Sequence, residues 1–106
     1  MSLIDIVYAQ PDEDCAVLVM MAVGYIDGSP ETQKDLLDKL EGYLKHIQSE
    51  DFRRDYPQTQ VYIDIVFDEK PDVLITDLLF ECKSWCMDNG ASLRLRIGND
   101  YVHYSD

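Results

Sequence analysis

Two cysteines one helical turn apart are the first residues whose spacing suggests chemistry. Cys82 and Cys86 lie four positions apart in a helical pattern, so both thiols fall on one face of the helix. Two thiolates at this spacing supply half of a tetrahedral zinc site, which Cys15, His46 or His103 would complete. Structural zinc sites normally contain paired ligand clusters, and this chain has one pair. The pattern therefore favours two small core residues, and no metal or cofactor is predicted.

Residues for acid, base or nucleophilic catalysis form no recognisable arrangement. His46 and His103 are the two imidazoles, and no glycine-rich loop or strained turn presents a nucleophile beside them. The acidic clusters at 12–14 and 68–69 lack the spacing and the glycine of a calcium loop, so solvated turns are favoured. The sequence thus favours a protein without catalytic activity.

The charge balance limits the class of partner. The 21 Asp and Glu residues outnumber the 9 Lys and Arg residues, which gives a net charge of −12. Binding to nucleic acid is disfavoured, because the basic clusters at Arg53-Arg54 and at Arg94 and Arg96 are small. The excess of carboxylates has two interpretations, namely solubility or an acidic surface for a basic protein partner.

Cysteine count and hydropathy predict a cytoplasmic location. Three cysteines make an odd number, which is unusual for a secreted domain with disulfide bonds. The N-terminus lacks the basic and apolar regions of a signal peptide. No apolar run approaches the length of about 20 residues that spans a bilayer, so no membrane partner is expected.

The strand at 61–67 has two different faces. Ile63, Ile65 and their period-two neighbours are apolar, whereas Tyr62 and Asp64 alternate with them. In the strand Ser92–Ile97, Arg94 and Arg96 point to the same side as Tyr62 and Asp64. We predict that these four residues form a binding face opposite the helices, because Tyr and Arg are enriched at interfaces. The alternative is an ordinary cross-strand pair between Asp64 and an arginine.

The remaining patterns predict the elements that position this face. The apolar run Cys15–Val23 is typical of a central strand or one buried on both faces. Ser29 and Pro30 suit the start of an amphipathic helix, and an apolar stripe from Leu74 to Cys86 indicates a second helix. The predicted elements are strands at Leu3–Tyr8, Cys15–Val23, Val61–Phe67 and Ser92–Ile97, a short last strand at Tyr101–Tyr104, and helices at Pro30–Ile47 and from Pro71 to Asn89-Gly90.

Together these elements predict a single α+β domain over residues 1–106. We expect a two-layer sandwich in which a four- to five-stranded mixed sheet carries two helices on one face. Its order is strand, strand, helix, strand, helix, strand, with the short last strand at the edge. The sequence gives no strand order.

One part of the chain resembles a known family. The segment Leu-Leu-Asp-Lys-Leu-Glu-Gly-Tyr-Leu-Lys-His-Ile-Gln-Ser at 36–49, the Tyr56-Pro57 corner and the strand at 61–67 resemble a family of small bacterial proteins. That family is catalogued only as a domain of unknown function. The resemblance extends from Leu3 to Ile97 and implies a single α+β domain. It implies no activity, cofactor or catalytic residue.

Two functional hypotheses follow. The first is a small acidic interaction module that docks a basic partner, or a second copy of itself, through the open sheet face. An inhibitor of a nuclease or toxin is one form of it, because carboxylates imitate phosphate. The second is an enzyme, or a small-molecule or metal-binding protein, with a pocket near Trp85, Cys82 and Cys86.

Overall fold

A computed structural model describes residues 2–10, 15–57, 60–98 and 100–101 of the chain. Within these ranges the elements are β1 (Ser2–Gln10), β2 (Cys15–Val23), α1 (Pro30–Ile47), α2 (Glu50–Asp55), β3 (Gln60–Phe67), α3 (Val73–Asp88), β4 (Ser92–Ile97) and β5 (Asp100–Tyr101). The bounds of β2 and α1 match the predicted ones. Of the predicted last strand, residues 102–104 lie outside the described residues.

The strands follow one another across the sheet in the order β1-β2-β3-β4-β5. Strand β3 is parallel to β2 on one side and to β4 on the other. Strand β1 runs antiparallel to β2, and β5 runs antiparallel to β4. Each parallel pair is joined through helices, because a chain that returns to the same end of a sheet needs a long crossover.

The predicted fold needs correction at its centre. A four- to five-stranded mixed sheet with two helices was expected, but β2, β3 and β4 form a three-stranded all-parallel arrangement, and the described residues contain three helices. The additional helix, α2, has six residues of which only Phe52 is buried, so it has no apolar periodicity to reveal it. Ser49 caps its first turn by accepting a hydrogen bond from the Phe52 N–H at 3.2 Å. The two-layer arrangement of helices on a sheet remains.

The main core lies between the sheet and the helices. From β3 it takes Ile63, Ile65 and Phe67, which have no exposed surface. Residues of β2, β4 and all three helices complete the same cluster, including Leu18, Leu36, Leu40, Phe52, Ile75, Leu79, Leu93 and Leu95. Alternation therefore leaves Tyr62, Asp64 and Val66 on the opposite face of β3.

Candidate functional site

The sheet face opposite the helices contains the predicted binding residues in neighbouring rows. Asp64 on β3 is in register with Arg94 on β4, and Val66 is in register with Arg96. Strand register therefore brings Tyr62, Asp64, Arg94 and Arg96 together, as the alternation of both strands predicts. No observation tests whether this face binds a partner, so that role stays a prediction.

Asp64 and Arg94 form a closely matched ion pair on this face. The Nε of Arg94 donates to one carboxylate oxygen of Asp64 at 2.6 Å, and its Nη2 donates to the other at 2.9 Å. The Asp64 side chain is 2% exposed and that of Arg94 is 30% exposed. The guanidinium also lies over the Tyr62 ring, 3.9 Å from its centroid. The charges of Asp64 and Arg94 are therefore paired with each other within the protein.

The apolar part of the same face is buried as well. Cys15, Val17 and Val19 of β2 form a second cluster, with Tyr62 and Val66 packed against it. This cluster surrounds the ion pair with low-dielectric material, which strengthens the interaction and raises the cost of leaving either charge alone. The rows around Asp64 thus have the character of a second small core.

The thiols of α3 are core residues rather than a reactive pair. Cys82 and Cys86 are both buried within the main cluster. Burial raises the pKa of Cys86 to about 11 and also raises that of Cys82, so both remain neutral thiols at pH 7. Cys15 belongs to the cluster on the other face of the sheet. His103 lies outside the described residues.

The residues weighed as zinc ligands are not brought together in the described part of the chain. His46 is exposed on α1, with its ring 5.2 Å from that of Phe52. In the described ranges, no three His, Cys, Asp or Glu side chains are grouped so that they could hold a metal ion.

The exposed apolar side chains are concentrated where the three parallel strands end. We call this region the carboxyl edge; it comprises residues 21–28, 66–74 and 96–98. Of the six large apolar side chains that are exposed in the described part of the chain, five belong to it. They are Met21, Val23, Tyr25, Val73 and Leu74, and the sixth is Met87. Exposed apolar residues that cluster mark interaction surfaces more often than residues scattered singly.

Carboxylates lie among these apolar side chains. Asp68 accepts a hydrogen bond from the Gly24 N–H at 2.8 Å, and Asp72 accepts one from the Tyr25 hydroxyl at 3.3 Å. Asp27 accepts from the hydroxyls of Thr32 and Ser29. All these donors are neutral, and no described cation forms an ion pair with any of the three carboxylates. Within the described residues, therefore, no ion pair neutralises these three carboxylates.

Local contacts shift the pKa values of Asp27 and Tyr25 in this region. Hydrogen bonds donated by Thr32 and, to a smaller extent, by Ser29 lower the pKa of Asp27. Its carboxylate therefore takes up a proton only at a more acidic pH than usual. Partial desolvation and the neighbouring Asp72 carboxylate raise the pKa of Tyr25, which remains a neutral donor. The edge thus presents fixed carboxylates and one neutral hydroxyl.

The loops of the carboxyl edge are held together by contacts between distant parts of the chain. The Asp72 N–H donates to the Ile26 carbonyl at 2.9 Å, and Asp72 Oδ1 caps α3 through the Leu74 N–H at 2.9 Å. Gly28 fits closely here, since a Cβ at this position would lie 2.9 Å from Asp72 Oδ1 and 3.0 Å from the Leu74 Cβ. Gly24 has a φ of 81°, a left-handed conformation that favours glycine. These contacts hold the loops after β2 and β3 in fixed relative positions.

Residues of the carboxyl edge form a groove on the sheet face away from the helices. It has a volume of about 350 Å³, and its lining includes Met21, Val23, Val66, Asp68 and Arg96. The ends of parallel strands are where α/β sheets usually bind ligands, although the strand order here does not reverse. Of the predicted binding residues, only Arg96 reaches this groove.

A second cavity lies at the other end of the sheet, between the helices and the start of β3. We call it the end cavity. Its volume is about 420 Å³, and its lining includes Ile47, Gln48, Phe52, Arg53, Tyr56, Val61 and Asn89. The Phe52 and Tyr56 rings stack with centroids 5.1 Å apart. The side-chain amide of Asn89 donates to the Trp85 carbonyl. The side chains of Cys82, Trp85 and Cys86, near which the alternative hypothesis placed a pocket, are not among the lining residues.

One pattern in the sequence points to the carboxyl edge. Two turns that contain acidic residues, at 27–30 and 68–72, each follow a strand and precede a helix. In a parallel sheet such turns meet at one edge, but only if the strands are neighbours.

Comparisons with known proteins do not identify the chain. No match was found among protein-family models, curated proteins or solved structures. The resemblance to a bacterial family of unknown function therefore stays a prediction. None of the described helices is both long enough and apolar enough to cross a membrane.

Proposed function

We propose that this chain is a non-catalytic binding module that docks a basic protein partner at the carboxyl edge. The observation that supports this function best is the coincidence of exposed apolar side chains with carboxylates that no described cation neutralises. Buried apolar surface supplies affinity, and complementary charge supplies orientation and a high association rate. A net charge of −12 also attracts a basic partner from a distance.

Preorganisation supports the same function. Tyr25 is tied to Asp72 and Gly24 is tied to Asp68, so the loops that follow β2 and β3 are joined. A surface that is ordered before binding loses less conformational entropy when the partner docks. The exposed side chains of Tyr25 and Leu74 can therefore use their apolar area for affinity.

The chemistry also indicates which partners are disfavoured. Nucleic acid would place phosphates against Asp27, Asp68 and Asp72, which repel them. A second copy docked edge to edge would oppose the same carboxylates. An inhibitor of a basic enzyme, such as a nuclease or toxin, is one form of this function, because fixed carboxylates imitate phosphate.

The test compares two triple variants with the same total charge. One variant carries Asp27→Asn, Asp68→Asn and Asp72→Asn at the edge, and asparagine keeps a side-chain oxygen for the local hydrogen bonds. The control carries Asp35→Asn, Asp38→Asn and Asp77→Asn on exposed positions of α1 and α3. Backbone amide shifts are recorded by NMR during titration with a short lysine-rich peptide that contains one leucine.

We expect shifts at Gly24, Tyr25 and Asp68 in the wild type and in the control variant. The edge variant should bind at least about tenfold more weakly, since each lost contact with a charged group is worth about 1 kcal/mol or more. Equal weakening in both triple variants would show a total-charge effect and sink the proposal. Shifts centred on Tyr62 and Arg94 would instead favour the sheet face.

The end cavity favours a second candidate function, the binding of a small planar molecule with an acidic group. The ring would lie against Phe52 and Tyr56, and Arg53 would pair with the acid. The neighbouring Arg54 provides a matched control, because it pairs with Asp51 at 2.7 Å and does not line the cavity. If the cavity has this function, an aromatic acid such as phenylacetate should raise the Tm, and Arg53→Ala, unlike Arg54→Ala, should abolish the rise.

A further inference from the structure

We infer that the groove of the carboxyl edge takes one apolar side chain of the partner, next to a lysine or arginine that pairs with Asp68. The inference rests on the proposed function, because it names the part of the partner that this edge recognises. It starts from strand register: Met21, Val66 and Arg96 form one row across β2, β3 and β4. All three line the groove.

The apolar floor of the groove is made by two neighbouring strands. Met21 and Val23 lie two residues apart on β2 and so project from the same face. Val66 lies beside Met21 on β3. At about 350 Å³ the groove is at the small end of the range for ligand sites, roughly 300–1,000 Å³. It therefore suits one inserted side chain, whereas a whole helix would need a longer surface.

The charges at the groove have opposite signs on its two sides. Asp68 lies at the end of β3, and its Oδ1 accepts the Gly24 N–H, while Oδ2 makes no hydrogen bond to any described residue. Arg96 lies on β4 in the same row as the floor. A cation of the partner is attracted to the Asp68 side of the groove, since one oxygen of that carboxylate accepts no hydrogen bond from a described residue. The order of the cation and the apolar residue in the partner should therefore matter.

A second copy of this chain is a poor occupant for the groove. It would bring a net charge of −12 and its own carboxyl edge toward Asp68 and Asp72. A basic segment of another protein supplies what the groove lacks, namely a positive charge beside an apolar side chain. Charge complementarity thus selects a lysine- or arginine-containing segment as the occupant.

The experiment uses three short capped peptides as probes. The first has two lysines followed by leucine, the second has glycine in place of leucine, and the third has leucine before the two lysines. Dissociation constants are measured by NMR titration at low ionic strength. We expect the first peptide to bind about tenfold more tightly than the second, because burying much of a leucine gives about that factor. The third peptide should have a different dissociation constant from the first, because its leucine and its lysines come in the reverse order.

Two methionine variants locate the leucine. Met21→Ser removes a groove side chain, and Met87→Ser is the control, since Met87 is an exposed methionine outside the edge. Met21→Ser should reduce the advantage of the leucine peptide to less than about threefold, while Met87→Ser should leave it unchanged. An unchanged Tm for each variant, measured by calorimetry, shows that the fold is intact.

The outcomes separate this inference from the proposed function. If the leucine and glycine peptides bind equally well at the edge, docking stands and the apolar anchor is wrong. If the leucine advantage survives Met21→Ser, the anchor lies outside the groove and the inference is overturned. If no peptide shifts the edge amides, the proposed function itself fails.

Discussion

The sheet face around Asp64 and the carboxyl edge use charge in opposite ways. On the sheet face, Asp64 and Arg94 neutralise each other through two hydrogen bonds, and the carboxylate is almost completely buried. At the edge, Asp68 and Asp72 are held by an N–H and a hydroxyl, which fix their positions without cancelling their charge. The two regions adjoin at the row of Arg96.

The difference separates architecture from recognition. Removing two charges from water costs free energy, and their attraction offsets this cost only while they are paired. The pair therefore favours the register of β3 and β4 in which Asp64 meets Arg94. A carboxylate held by neutral donors remains available to a cation from outside. Judged by side-chain type alone, Asp64 and Arg94 were the better candidates for binding a partner. Because they are buried and paired with each other, the exposed carboxyl edge is the better candidate in the structure.

The largest expected effect tests the architectural side of this comparison. Arg94→Ala should lower the free energy of unfolding by about 3–5 kcal/mol, because it leaves the buried Asp64 carboxylate without its partner. Asp64→Ala should cost less, since the partly exposed Arg94 can turn toward water. Urea denaturation measures both. If Arg94→Ala lowers the free energy of unfolding less than Asp64→Ala does, the cost does not come from leaving the buried Asp64 carboxylate unpaired.

Alkaline pH should destabilise the interior through the Cys86 thiol. Burial raises the pKa of Cys86 from 9.0 to about 11, so the folded state holds the thiol proton more tightly than the unfolded state does. This contribution is complete below pH 9 and is lost as pH rises toward 11. We expect a loss of roughly 2 kcal/mol over that range.

Denaturation of the wild type and of a Cys86→Ala variant between pH 8 and 11 measures this loss. The variant is less stable at pH 8 because it leaves a small cavity, but its stability should fall less over the range. Parallel slopes in the two proteins would show that other groups cause the loss.

Much of the scaffold could be predicted from the sequence, because it depends on local patterns. The Ser29 cap and Pro30 give the start of α1, and the apolar run gives both ends of β2. Alternation predicts that Asp64 and Arg94 lie on one face of the sheet, whereas the register that pairs them is known from the structure. Helix α2 was not predicted, because its single buried residue, Phe52, cannot produce a repeating apolar pattern.

The carboxyl edge could not be predicted, because it depends on contacts between distant residues. Gly24 meets Asp68 across 44 positions and Tyr25 meets Asp72 across 47, and both contacts require a strand order that periodicity does not provide. Leu74 was placed in the apolar stripe of α3, but it is 53% exposed. Its position at the first turn, beside Gly28, takes it off the buried face.

A smaller effect should follow from disturbing the edge without changing its charge. Gly28→Ala would push its Cβ against Asp72 Oδ1 and the Leu74 Cβ, and so disturb the cap of α3. We expect a loss of about 1 kcal/mol in the free energy of unfolding, which is typical of a damaged cap. Binding of the lysine and leucine peptide should also weaken. Gly42→Ala is the control, because nothing lies within 4 Å of a Cβ there.

The smallest expected effect is an acid dependence confined to the edge. Hydrogen bonds from Thr32 and Ser29 lower the pKa of Asp27 below its ordinary 3.8, so the folded state releases this proton more readily than the unfolded state. The resulting stability is present above pH 3.8 and is lost as pH falls through the lowered pKa. In Asp27→Asn the uncharged amide does not titrate, so its Tm should approach that of the wild type below about pH 4.

Asp38→Asn, which changes an exposed carboxylate elsewhere on α1, should show no such convergence. If both variants converge alike, general protonation and not the Asp27 hydrogen bonds explains the effect, and the edge carboxylates lose their distinction from the rest of the acidic surface.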